Sequence, residues 1–279
     1  MKRSLSDTGA RADGTVDRRG LLAAGAVGLA AIVAACGRAA PQRASRTTGT
    51  PAASPSHRPA PPSRQAPVRA VQPAHLGPAS QVAHGPRTSH EVALTFHTAG
   101  DPAVVDAILH AARKENAHLT MLVVGTWLSQ YPSYAHRILD AGHDLGNHTW
   151  THPVLTEDDA RQTRVEIVRC RHLLRTLTGD GGRWFRPSGT PRATPLMLRE
   201  AGAAGYPTVL AYDVDPLDYT DPGAATVTQR VLDSARAGSI VSLHTLYEGT
   251  AQALPHIVRG LRRNGLEPVA ASRLLAGKA

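Results

Sequence analysis

Residues 90–279 alternate short apolar runs with stretches of helical spacing, and that alternation constrains the fold more than any other feature of the chain. The runs at 91–96, 118–124, 144–147, 184–186, 208–212, 239–243 and 266–269 read as strands. The stretches at 102–116, 134–141, 156–177, 194–203, 224–237 and 251–264 read as helices. In the first of these, Val105, Ile108 and Leu109 fall on one face, as the 3.6-residue period requires. The third opens with Thr156 ahead of Glu157, Asp158 and Asp159, which sets acids at the positive end of the helix dipole, and it closes at Gly179. Strands separated by helices pair in parallel. Seven or so such units suffice to close a barrel, and about 190 residues suffice for one domain with a sizeable core.

Titratable and basic residues collect at the carboxyl ends of these predicted strands, where parallel barrels keep their chemistry. His97 and Asp101 follow the first strand, and His148 and His152 a later one. Arg186 follows 184–185, Asp213, Asp215 and Asp218 follow 209–212, and His244 follows 240–243. A spacing of four brings the His148 and His152 imidazoles to one side of a helix or tight turn, about 6 Å apart at their roots. Imidazole is the commonest metal-ligating side chain, and a catalytic metal takes about three protein ligands and leaves one position open. Each position also has a plainer reading. Asp101 before Pro102 suits a helix cap, Arg186 and Asp218 suit an ion pair, and Asp213 and Asp215 suit turns.

The formal charge of +9 does not belong to the alternating region. Residues 37–89 hold seven arginines and no acid, and residues 1–36 hold five basic and three acidic groups, which leaves 90–279 close to neutral. A neutral fold gives no electrostatic case for nucleic acid. Residues 37–89, rich in Pro, Ala and Arg, cannot bury enough apolar surface to offset their ordering entropy and read as a disordered linker. Arg18 and Arg19 precede the apolar run 21–35, which is shorter than the roughly 20 residues a bilayer span needs and reads as an export signal. Val33-Ala34-Ala35-Cys36 resembles the lipobox of bacterial lipoproteins, and the arginine pair resembles a twin-arginine signal. These features predict an exported protein, lipid-anchored through Cys36 on the outer face of the cytoplasmic membrane or secreted. A basic tether would add attraction to anionic headgroups. Lipidation of Cys36 would leave Cys170 without a disulfide partner, and its helical surroundings make it a core residue.

Four sequence motifs now carry a resemblance. They are His148-Thr149-Trp150-Thr151-His152, Arg186-Pro187-Ser188-Gly189, Asp218-Tyr219 and Leu243-His244. Over residues 90–279 the chain resembles the polysaccharide deacetylase family, the NodB-homology group of carbohydrate esterase family 4. That resemblance implies a distorted (β/α)7 barrel and a divalent metal, usually zinc, that removes N- or O-acetyl groups from polysaccharides. It implies His148 and His152 as metal ligands, His244 as the acid that protonates the leaving group, and Arg186 as the residue that orients the base, held in turn by Asp218. It places the oxyanion donor at the backbone near Gly189, and offers Trp184 or Tyr219 for stacking on a sugar. The first motif departs from the family. Where the family reads Thr-Phe-Asp-Asp-Gly-Pro, residues 95–102 read Thr-Phe-His-Thr-Ala-Gly-Asp-Pro. His97 takes the place of the base, Thr98 that of the third ligand, and Asp101 is the one carboxylate left. The expected metal set is therefore Asp101, His148 and His152, with His97 or Asp101 as base.

The expectation is a monomeric, metal-dependent hydrolase that removes acetyl groups from a cell-envelope polysaccharide such as peptidoglycan. The competing readings are a catalytically degenerate barrel that binds glycan, and a metal hydrolase of another acyl or imide substrate.

Overall fold

The computed structural model describes residues 77–276. The export signal, Cys36 and the linker up to residue 76 lie outside the described residues. Seven strands and eight helices alternate: β1 (Ser80–Val82), β2 (Glu91–Thr98), α1 (Pro102–Lys114), β3 (Thr120–Val123), α2 (Gly125–Gln130), α3 (Ser133–Asp140), β4 (Asp144–Asn147), α4 (Ala160–Thr178), α5 (Pro195–Ala203), β5 (Thr208–Leu210), α6 (Ala224–Ser234), β6 (Ile240–His244), α7 (Glu248–Arg263), β7 (Glu267–Val269) and α8 (Ala271–Leu274). Strand pairing is parallel throughout, in the order β4-β3-β2-β6, with β7 on the start of β2 and β1 on β5. Bridges from Asn147 to Phe185, from Phe185 to Val209 and from Val214 to Val241 carry the pairing round from β4 through β5 to β6. The ring closes as a distorted barrel, with three of its links reduced to single bridges.

The alternation along β2 shows how the barrel is built. Val92, Leu94 and Phe96 point outward and are fully buried beneath a helix layer that includes Ile108 of α1 and Leu254, Ile257 and Leu261 of α7. Burying side chains of this kind stabilises the fold by about 1.5–3 kcal/mol each. Ala93, Thr95 and His97 alternate with them and face the other way. Ala93 packs inside the ring against Leu122, Leu210 and Ile240, and Thr95 Oγ1 donates to Val241 O at 2.6 Å. His97 is the last residue of that inner row. The parallel register sets it directly beside His244.

Two sequence expectations need correction here. The linker does not run to residue 89, because Ser80–Val82 is a strand paired with β5. The segment 156–177 does not start its helix at Thr156. A single 3-10 turn (Leu155–Glu157) comes first, and α4 begins behind Asp159, whose carboxylate accepts from Gln162 N while Gln162 caps Asp159 N in return. Cys170 lies fully buried, and burial pushes its thiol pKa far up, as suits a core cysteine.

Candidate active site

The loop after β4 carries His148 and His152 in a tight turn rather than a helix. Thr149 and His152 adopt left-handed backbone at φ 70° and 63°, a conformation that persists in non-glycine residues only where surroundings enforce it. Glu166 of α4 does so from beneath: its carboxylate accepts from the Trp150 and Thr151 amides at 2.8 and 2.7 Å and from Thr151 Oγ1 at 2.9 Å. Asn147 adds a bond from Thr149 N to its Oδ1. Gly125 makes room for the Trp150 ring, which a β-carbon there would strike. Glu166 and Asn147 were missed from the sequence. The one signal for Glu166 was a single acid on the buried face of an arginine-rich helix.

His148 is buried at 1% exposure. Its Nδ1 lies 3.0 Å from Arg186 O and must donate to that carbonyl. Its Nε2 is then a bare lone pair, buried and, among the described residues, without a hydrogen-bond partner. His152 meets it nearly edge-on, with ring centroids 4.9 Å apart. Burial is the main cause that lowers the pKa of both rings, followed for His148 by the neighbouring His152. Both are neutral at pH 7 and free to ligate.

Beside this pair runs a hydrogen-bonded chain. Arg186 is 1% exposed and, among the described residues, has no carboxylate partner. Its Nε and Nη2 donate to the Leu210 and Ala211 carbonyls, and its Nη1 lies 3.1 Å from His97 Nε2. His97 Nδ1 lies 2.9 Å from His244 Nε2, and His244 Nδ1 lies 2.7 Å from Asp218 Oδ1. Arginine can only donate and a carboxylate can only accept, so every proton along the chain is placed: Arg186 to His97, His97 to His244, His244 to Asp218. Burial, reinforced by His148 and Arg186, holds the His97 pKa well below its ordinary value. Burial also lowers Arg186 to about 9, which leaves it cationic at neutral pH. Asp218 is fully buried and additionally accepts from His244 N and Thr250 Oγ1.

The structure thus brings His97, His148, His152, Arg186, Asp218 and His244 to one end of the ring, and corrects three expected roles. Asp101 is not part of the cluster. It is exposed and caps α1, its Oδ1 accepting from Ala103 N at 2.8 Å, because Gly100 turns at φ 84° and Pro102 starts the helix at once. Asp218 does not hold Arg186; it holds His244 instead. Nor is His97 an unengaged base, since both its nitrogens are bonded. Trp184 is buried and bonds Asp144, away from the cluster, whereas Tyr219 is exposed and lies against His244. Gly189, at φ 70°, borders the cavity over His148 and His152, as does Asp215. Among the described residues, Asp215 is the one carboxylate that lines that cavity.

A divalent ion fits the two imidazoles, because a buried lone pair without a partner is what a ligating histidine presents. Among the described residues no third acidic, cysteine or histidine side chain completes such a set. His97 stacks nearly flat on His148 with centroids 4.0 Å apart, and its one lone pair, in the ring plane at Nε2, already accepts from Arg186, so it does not converge with that of His148.

The chain is similar in sequence and fold to known proteins. The family described as polysaccharide deacetylase matches residues 84–209. The peptidoglycan-N-acetylmuramic acid deacetylase PdaC of Bacillus subtilis is 29% identical over 183 residues, 66% of this chain. The chain spans 38% of that relative's length. The solved Bc1960 peptidoglycan N-acetylglucosamine deacetylase superposes with a TM-score of 0.66 at 27% identity, covering 70% of this chain and 92% of that one. BA3943 from Bacillus anthracis, a pseudoenzyme of carbohydrate esterase family 4, superposes with a TM-score of 0.65 at 26% identity, covering 72% and 70%.

Proposed function

We propose that the chain is a polysaccharide deacetylase, the family its residues 84–209 match, and that it hydrolyses acetyl groups from a polysaccharide of the cell envelope, peptidoglycan being the first candidate. The observation that carries this reading is the chain from Arg186 to Asp218. A buried cation and a buried anion that served only stability would pair with each other, because each costs several kcal/mol to desolvate. Here each is spent on orienting an imidazole that borders the same cavities. Asp218 fixes the His244 tautomer and steadies the imidazolium that forms when His244 handles a proton, the service a buried carboxylate gives a catalytic histidine. Once the His97–His244 bond opens, His244 Nε2 can carry a proton to a departing amine or alkoxide.

His148 and His152 would hold a divalent ion, zinc by family resemblance. Bound there, the ion would polarise the acyl carbonyl and lower the pKa of a coordinated water. With two protein ligands in place of the usual three, affinity should be weaker than in a complete site. The lipid anchor at Cys36 and the basic tether belong to the same proposal: they would keep the barrel at the membrane face, within reach of the wall. The second reading, a catalytically silent glycan binder, is favoured by one observation, the removal of Asp101 from the cluster. Acetate release from acetylated peptidoglycan fragments, with zinc supplied, tests the choice. Release that disappears in His244→Ala supports the hydrolase. Fragment binding without release by the wild-type chain supports the silent barrel.

A further inference from the structure

Two cavities meet at the imidazole cluster and share His97, His152, Tyr219 and His244. The first, about 340 Å³, is the more polar of the two and runs past Gly189, Thr190 and Asp215. The second, about 650 Å³, is walled by Ala99, Gly100, Val124, Trp127, Tyr131 and Leu246. Among the described residues, no Asp, Glu, Lys or Arg lines it. Its apolar wall is preformed. Trp127 Nε1 donates to Gly100 O at 2.9 Å, and the Trp127 ring packs against Tyr131 and Tyr134 with centroids 5.6 and 5.0 Å away. Thr245 Oγ1 accepts from Ala99 N and donates to Ala99 O, which fixes the loop after β2 against the end of β6. This loop is the one in which His97 and Thr98 stand in place of the family's two carboxylates, and Ala99, which follows them, lines the cavity.

A carbonyl seated at the four shared residues has its two substituents in different cavities. The sugar, with its hydroxyls, suits the polar one, and the acyl chain suits the apolar one. An acetyl methyl fills on the order of 30 Å³, about the volume of one water, and would leave most of the second cavity hydrated. A cavity of 650 Å³ falls in the range that takes ligands of drug size, about 300–1,000 Å³. Building on the hydrolase reading above, we propose that the second cavity is an acyl subsite for chains longer than acetyl, so that medium-chain N- or O-acyl sugars are ligands and substrates. In the hydrolysis, water oxygen bonds to the acyl carbon and the C–N or C–O bond breaks. One water proton passes to the departing amine or alkoxide, and a fatty carboxylic acid is released.

The test is calorimetric titration of the full chain with N-acylglucosamines of two, four, six and eight acyl carbons, with acid release followed in the same samples. The dissociation constant should fall about threefold per added methylene until the cavity fills, the gain expected of partly buried CH2 groups. In Leu246→Trp and Ala99→Leu, which narrow the cavity from separate walls, the preference for hexanoyl over acetyl should shrink at least tenfold. A dissociation constant that is flat across the series, or glucosamine without any acyl group binding as well as the hexanoyl compound, overturns the subsite. Both of these outcomes are read from binding alone. Acid release from no member of the series would instead overturn the hydrolase reading, so the two failures are told apart.

Discussion

His143 and His148 are both buried histidines with an unpartnered Nε2, at opposite ends of the same strands, and they are chemically opposite. His143 Nδ1 accepts from Leu119 N at 3.1 Å, so its hydrogen sits on Nε2, which can only donate. His148 Nδ1 donates to Arg186 O, so its Nε2 is a bare lone pair. The backbone group that faces Nδ1 decides what Nε2 can do. A carbonyl there makes a metal ligand, and an amide makes a structural pin. The comparison extends outward. Around His143 the neighbouring polar groups are tied down within the fold: Asp144 accepts from Trp184, Ser272 and Thr120. Around His148 they are committed to orienting one another towards a cavity.

The largest expected effect separates the two ends by activity. His244→Ala should lower kcat/KM for acetate release by about 10²–10⁴, the range for loss of a general acid, whereas His143→Leu should leave the activity of the folded protein as it was. Equal losses in both would dissolve the distinction. Next comes acid sensitivity. Burial lowers His143 to about 4 from 6.5, so its stabilising contribution is complete above pH 6.5 and drains away as pH falls towards 4. At 1.36 kcal/mol per pH unit the loss is about 3 kcal/mol. His97, His148 and His152 are lowered too and push in the same direction. Urea unfolding at pH 7 and pH 4.5 should show a smaller drop in His143→Leu than in the wild type. The leucine variant should also start lower, because the Leu119 amide loses its acceptor at a cost of about 1–3 kcal/mol.

A smaller effect probes the strained loop. Glu166→Gln weakens the grip on the Trp150 and Thr151 amides and should reduce zinc affinity about 10–100-fold, as loss of a supporting residue around a metal site does. Competition titration with a chromogenic chelator reads this. An unchanged affinity would mean that the left-handed turn holds without Glu166. The smallest effect belongs to Asp101→Ala. Loss of the α1 cap should cost about 1 kcal/mol, seen as a small fall in Tm, with zinc affinity unaltered. A loss of zinc in this variant would restore Asp101 to the ligand set.

The strand–helix alternation was legible because it rests on long apolar patterns such as β2 and α7, and the strand-end cluster was legible because barrels place chemistry there. What could not be read from the chain has particular causes. Ser80–Val82 has no apolar run and becomes a strand only through its pairing with β5. Helix α2 begins at Gly125 with no side-chain cap, held by backbone bonds from Gly125 and Thr126 to the carbonyls of Thr149 and Trp150, which are distant in sequence. Asp101 lies near His97 in sequence, but three residues and one glycine turn carry it out of the cluster. The pairing of Asp218 with His244 rather than Arg186 depends on the 3-10 turn at Asp218–Thr220, entered through Leu217 in left-handed backbone. Neither is written in the spacing of the motifs.

The measurement that tests the central claim most directly is zinc content by elemental mass spectrometry. It would be made on the full chain dialysed against a zinc buffer, with wild type, His148→Ala and His143→Leu side by side. The bare Nε2 of His148 predicts near one zinc per chain in the wild type and in His143→Leu, and none in His148→Ala. Zinc retained by His148→Ala, or absent from the wild type, would contradict it.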